Sequence, residues 1–166
     1  MFGTIDFGKF FLGFGVIGFT EHAFTEAYAH MAGRVLYDKP VLQLAHVQRM
    51  TTLAFGRLVG MKLFAYRALD YLQASNANDR RFLLFNAVQK AKVSTEGVKA
   101  IGLLTECIGA KAFEADTFFE TALRTAPMIP VLEGSTHINF SMTAQFLDAY
   151  FAEPAEGQDQ AGADGG

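Results

Sequence analysis

The chain has no tryptophan, a single cysteine, four prolines and 19% charged residues in 166 positions, and each scarcity closes off a class of protein. Cys107 alone cannot form an internal disulfide or a thiolate metal cluster, and the four histidines show no ligand spacing. Net charge is −3 with a sequence pI near 5.8 and no Lys/Arg run, so nucleic acid is not an expected partner. No apolar run reaches the ~20 residues needed for a membrane span; the longest candidate, Phe10 to Phe19, is half that. With Lys9 before it and Ala27 and Ala29 after it, this run superficially imitates a secretory signal, but Asp6, Glu21, His22 and Glu26 spoil the pattern. Cytoplasmic residence is therefore expected.

What the chain has in quantity is apolar surface. Hydrophobic residues make up 51%, enough for one compact domain with some surface left for a partner, and the seventeen phenylalanines suggest a Phe-rich core. The pattern is helical almost throughout and no strand pattern persists. A first helix is expected from about Gly8 to Gly33, ended by that glycine and by Asp38-Lys39-Pro40. A second runs from about Gln43 to Ala74, with Leu44, Val47, Ala54, Leu58, Met61, Ala65, Leu69 and Leu72 along one face; at ~1.5 Å per residue it is roughly 45 Å long. Ser75 to Asp79 supplies cap residues for a third helix, about Arg80 to Ile108. Along it Leu83, Ala87, Ala91, Ser94, Val98, Ile101, Thr105 and Ile108 form a seam of small and aliphatic side chains.

Thr117 and Glu120 have capping-box spacing and open a short fourth helix ending near Arg124. Pro127 and Pro130 impose an irregular stretch over Thr125 to Leu132, after which Glu133-Gly134-Ser135 leads into a last helix reaching about Phe151. These elements predict an all-α antiparallel bundle of four to five helices over residues 1–152. A Gly-, Ala- and Asp-rich tail over 153–166 is expected to be disordered.

Gly13-Phe14-Gly15-Val16-Ile17-Gly18 matches the letters of a dinucleotide fingerprint, and Asp38 lies twenty residues on. Such a fingerprint works only between a strand and a helix inside a βαβ unit, and no second strand is predicted, so we read the glycines as sites of close helix approach. Glu133 is chemically more suggestive. A carboxylate between a proline-broken segment and a glycine can act as a general base if buried, or can simply favour the positive end of the following helix.

From Phe10 to Tyr150 the order of motifs resembles the acyl-CoA dehydrogenase family. The stretches that carry the resemblance are Arg34-Val35-Leu36-Tyr37-Asp38-Lys39-Pro40-Val41 with His46-Val47-Gln48, then Asp79 to Asn86 with Gln89-Lys90-Ala91-Lys92 and Thr95-Glu96-Gly97. The last is Leu132-Glu133-Gly134-Ser135-Thr136-His137-Ile138-Asn139, similar to the family's Glu-Gly-Thr signature. The resemblance implies that Glu133 removes the α-proton of an acyl thioester while the β-hydrogen leaves as hydride to FAD. It also implies that Arg34 approaches the FAD pyrophosphate of a neighbouring subunit, that Tyr37 and Val41 line the adenine side, and that Gly134 and Ser135 contact flavin or substrate. Gly109 would begin the loop that supports the neighbour's FAD. That loop departs from the family's Gly-Gly-x-Gly, reading Gly109-Ala110-Lys111-Ala112; Ala45 stands where a glutamine faces adenine, and Thr125 where an Asp follows the arginine. The N-terminal helical domain and the β-domain of such enzymes have no counterpart in the chain. The chain is then expected to be either the C-terminal domain of a longer enzyme or a separate subunit, with an acyl-CoA or acyl-carrier-protein thioester as substrate and either further copies or a chain supplying the missing domains as partners. The other class of function is a non-catalytic helical scaffold that has lost flavin.

Overall fold

The structure, a computed structural model, describes residues 4–76 and 78–151. Among them five α-helices run in the order α1 (Thr4–Gly33), α2 (Ala45–Gln73), α3 (Phe82–Ile108), α4 (Phe118–Thr125) and α5 (Thr136–Phe151). The fold is all-α as predicted, and the expectation for the tail over 153–166 lies outside the described residues.

α1 stops at Gly33, and the chain then does something the periodicity did not foresee. Val35–Leu36 (β1) pairs antiparallel with Lys39–Pro40 (β2), and Tyr37 and Asp38 take the two left-handed corners at φ 54° and 61°. A two-residue hairpin loop needs positive φ at both central positions, and the short pairing is closed by Val41 N–H donating to the Arg34 carbonyl at 2.8 Å. A 3-10 turn over Val41–Gln43 then leads into α2.

α3 is the hub, packing most extensively on α2, then on α1 and α5. Its seam is largely as expected: Ala87, Ala91, Ser94, Ile101 and Thr105 are buried, while Leu83, Val98 and Ile108 are half-buried. It begins at Phe82 rather than Arg80, because Asp79 is already committed. The Asp79 carboxylate accepts both the Arg81 backbone N–H and two guanidinium bonds, so the loop is tied off before the helix starts. The α2 face is also as expected at Val47, Ala54, Leu58, Met61 and Ala65, with Thr51 and Ala68 added to it. Thr117 caps α4 by accepting the Glu120 backbone N–H.

The core differs from the Phe-rich one expected. Only Phe10, Phe82 and Phe119 are buried phenylalanines among the described residues, and alanines at 23, 27, 54, 65, 68, 91 and 100 have no exposed surface. Small side chains let the long helices approach closely, which moves much of the aromatic area outward. Two glycines do the same. A Cβ on Gly97 would stand 2.7 Å from Val16 Cγ1, and one on Gly13 would collide with the Gln89 amide. Of the three fingerprint-like glycines, all inside α1, only Gly13 marks a close approach; Gly15 and Gly18 face open space. Among the described residues no helix is long and apolar enough to cross a membrane.

Candidate functional site

Proline and glycine chemistry shapes the turn that carries Glu133. Pro127 sits in a 3-10 turn over Ala126–Met128, further turns follow, and Glu133 and Gly134 take consecutive left-handed conformations at φ 52° and 86° before α5 opens. For glutamate this region costs roughly 1–2 kcal/mol, so the surroundings must impose it. They do so with buried donors. Lys90, on α3 and without exposed surface, donates from Nζ to the carbonyls of Pro130 at 2.6 Å and Gly134 at 2.5 Å. Asn139, buried in α5, donates from Nδ2 to the carbonyls of Gly134 at 2.8 Å and Ser135 at 3.0 Å.

The Glu133 carboxylate lies over the start of α1, where a Cβ on Gly8 would stand 3.2 Å from Oε1. Any larger residue at position 8 would crowd the carboxylate. Glu133 is exposed, so its carboxylate lacks the apolar enclosure that makes a carboxylate reactive toward a C–H bond. Burial pushes the Lys90 ammonium below its ordinary range and repulsion from Lys9 adds to this, while the charge of Glu133 acts in the opposite sense.

Arg34, Val41 and Gly109 come together elsewhere, lining a groove of about 700 Å³ with Leu36, His46, Cys107 and Lys111. The first turn of α2 contributes to the same groove with no side-chain cap and no acidic residue of its own, while Glu106 and Glu114 bring carboxylates to the lining. Gly109 takes φ 73°, which only glycine adopts cheaply, and its α-carbon is open to approach. Tyr37 does not line the groove; it is 86% exposed at the hairpin tip. Among the described residues no group of three or more His, Cys, Asp or Glu could hold a metal ion.

The predicted site residues thus fall into two sets. Glu133, Gly134 and Ser135 lie by Gly8, and Arg34, Val41 and Gly109 lie beyond Gly33; the stretch of α1 between them is roughly 38 Å at about 1.5 Å per residue. The sequence reading missed Lys90 and Asn139 as parts of the Glu133 turn. A signal for Lys90 existed, since Asn86 and Lys90 stand four residues apart in the register that leads to Ser94 of the buried seam, and a charged residue in that register has to find partners inside.

The described residues thus form an all-helical bundle organised around one central helix, α3, with a glutamate held at a strained turn before the last helix. Residues 1–147 match the family described as Acyl-CoA dehydrogenase, C-terminal domain, and the chain belongs to the acyl-CoA dehydrogenase family. Cyclohex-1-ene-1-carbonyl-CoA dehydrogenase of Geobacter metallireducens is 21% identical over 144 residues, covering 87% of this chain and 37% of that protein. Butyryl-CoA dehydrogenase of Megasphaera elsdenii matches with a TM-score of 0.80 and 17% identity, again over 87% of this chain and 37% of that one. The structure of PigA with FAD and proline matches at a TM-score of 0.78 and 17% identity, over 87% and 37%. This chain spans little more than a third of the length of these relatives, and at such identities the structural likeness establishes the fold.

Proposed function

We propose that residues 1–152 form the base-carrying helical part of an FAD-dependent acyl-thioester dehydrogenase, completed by domains outside these 166 residues. The observation that carries the reading is the Glu133 turn: a carboxylate held in a strained conformation by buried donors, with a glycine beneath it leaving room. In the reaction, Glu133 accepts the α-proton of the acyl thioester, and its backbone N–H helps polarise the thioester carbonyl so that the developing enolate oxygen meets a donor. Bound FAD would supply the hydride acceptor for the β-hydrogen. Gly134 and Ser135 lie next to the base, where flavin or substrate would be contacted.

The groove at the other end fits a phosphate-bearing group on its chemistry. Arg34 and Lys111 are cations there, set against the carboxylates of Glu106 and Glu114, the α2 N-terminus is uncapped, and Gly109 allows close backbone approach. Arg34 and Gly109 would hold the pyrophosphate side of FAD, with Val41 lining the adenine side and Tyr37 reaching adenine from the hairpin tip. Roughly 38 Å is too far for Arg34 and Glu133 of one chain to share one flavin, since FAD would have to span the bundle. Each complete site therefore draws these two sets from different copies. Apolar side chains standing outward on α2, Leu53 at 46% exposure, Val59 at 37% and Leu63 at 67%, support association with further copies or with a chain supplying the missing domains.

A second reading, a scaffold that has lost flavin, is favoured by Ala110 and Ala112 where the family has glycines. Protein purified with its partner domains separates the two by visible absorbance, since the scaffold is colourless. For the first reading the deciding experiment is Glu133→Gln in the assembled flavoprotein. Thioester binding should survive, and flavin reduction followed by anaerobic stopped-flow should fall by at least the ~100-fold typical of a lost general base. Equal reduction rates would return Glu133 to the role of a helix-terminal charge.

A further inference from the structure

We propose that Lys90, assisted by Asn139, is a positioning residue for the glutamate turn: an internal ammonium clip that grips the chain on both sides of Glu133 and keeps it in its left-handed conformation. The inference deepens the reading of Glu133 as the base and rests on it for its functional consequence, but the clip itself is a statement about this chain alone.

A buried ammonium costs several kcal/mol unless its protons find acceptors. Neither bonded partner of Lys90 Nζ is a carboxylate; both are backbone carbonyls, and both belong to the one turn, 40 and 44 residues away in sequence. A lysine that merely filled space in the core would be replaceable by an apolar side chain at no loss. This one uses charge-assisted hydrogen bonds to tie α3 to the segment from Pro130 to Gly134, with Glu133 inside the tied span.

The second donor makes the arrangement specific. The Gly134 carbonyl accepts from both Lys90 Nζ and Asn139 Nδ2, so its direction is set by two side chains on different helices. Reversing the peptide after residue 134 would take one acceptor from each of two buried donors, leaving Lys90 with only the Pro130 carbonyl and Asn139 with only the Ser135 carbonyl, and that loss opposes relaxation of the left-handed turn. Asn139 Oδ1 is buried without a partner, which fits an amide oriented by what its NH2 group holds. Lys9, also buried, places its ammonium 4.0 Å from Met142 Sδ, a contact outside the clipped turn.

The test starts with the 166-residue chain and hydrogen exchange resolved to single amides. Val131 and Leu132 N–H both donate to the Met128 carbonyl inside the clipped turn and report on it directly. Lys90→Met should speed their exchange by about tenfold or more while the amides of α3 between Gly97 and Thr105 keep wild-type protection. Unchanged exchange at residues 131 and 132, or an equal loss of protection along all of α3, overturns the clip. If Lys90→Met does not fold, Asn139→Asp, which cannot donate from the same position, takes its place: faster exchange confined to residues 131 and 132 supports the clip, and unchanged exchange there overturns it.

The functional half is read in the assembled flavoprotein. Lys90→Met should slow flavin reduction by an acyl thioester about tenfold with little change in thioester affinity, and should add nothing in a chain that already carries Glu133→Gln. A further loss in that double variant overturns action through Glu133. Should Glu133→Gln itself leave reduction unchanged, the base assignment fails, and the exchange experiment still judges the clip.

Discussion

At the end of the bundle where α1 begins, the turn carrying Glu133 is anchored by buried side chains, and three backbone carbonyls point where Lys90 and Asn139 direct them. At the end where α1 finishes, Arg34, Tyr37 and Lys39 are all exposed, and the hairpin is shaped by backbone bonds and the left-handed preference of its tip. One end is preorganised within the chain. The other offers charge, an uncapped helix start and an open glycine to something brought from outside. A catalytic carboxylate has to be held to within a fraction of an ångström, whereas a phosphate-binding cation can adjust to its ligand on a flexible side chain.

The sharpest way to break this comparison is to put the two ends on different copies. Chains carrying Glu133→Gln and chains carrying Arg34→Ala, each mixed with the completing domains, should separately give little flavin reduction, the first for lack of a base and the second for loss of flavin. Mixed before assembly they should recover about a quarter of wild-type reduction, because in a two-fold pair half the pairs are hybrids with one intact site of two. No recovery would mean that both ends serve the same site or that copies do not share sites. Arg34→Ala alone should leave thermal stability within about 0.5 kcal/mol, since the side chain is exposed.

A smaller effect, on stability, should strike both ends together. Gly97→Val forces a side chain against Val16 and Met61 at the midpoint where α1, α2 and α3 meet, and should cost about 3 kcal/mol by denaturant unfolding. If the Glu133 turn alone loosens in that variant, the ends are not coupled through the bundle as drawn.

The smallest effect is electrostatic. Burial by itself would push Glu96 up, but the hydrogen bond from Lys99 and the charge of Arg57 outweigh it and hold the carboxyl below its ordinary range. A depressed carboxylate stabilises the fold above its ordinary pKa, and that contribution is lost as pH falls through the folded value. Glu96→Gln should therefore cost about 1 kcal/mol near neutral pH, since its partners are partly solvated, and nothing once the wild-type carboxyl is protonated. Parallel unfolding curves at every pH would remove Glu96 from the account of the α2–α3 seam.

Much of the fold could be read from local chemistry. Gly33 ends α1, Thr117 opens α4, Pro127 and Pro130 break the chain before Glu133, and the four-and-three spacing along α3 marks its buried side, because each depends on residues within a turn or two. The resemblance of Leu132 to Asn139 to a family signature marked Glu133 for the same reason: its letters are contiguous. The hairpin at Val35 to Pro40 escaped because two-residue strands leave no periodicity, and the alanine core escaped because composition does not say which side chains face inward.

What only the tertiary structure decided is the relation between parts far apart in the chain. Lys90 meets Pro130 and Gly134, and Gly8 meets Glu133 across 125 residues, through the lateral packing of helices whose phase is set by all of their contacts at once. The separation of Arg34 from Glu133 by most of the length of α1 has the same origin. A helix rises about 1.5 Å per residue whatever its sequence, so a chain that folds into long rods places its motifs by rod length and packing, and no spacing of letters reports that distance.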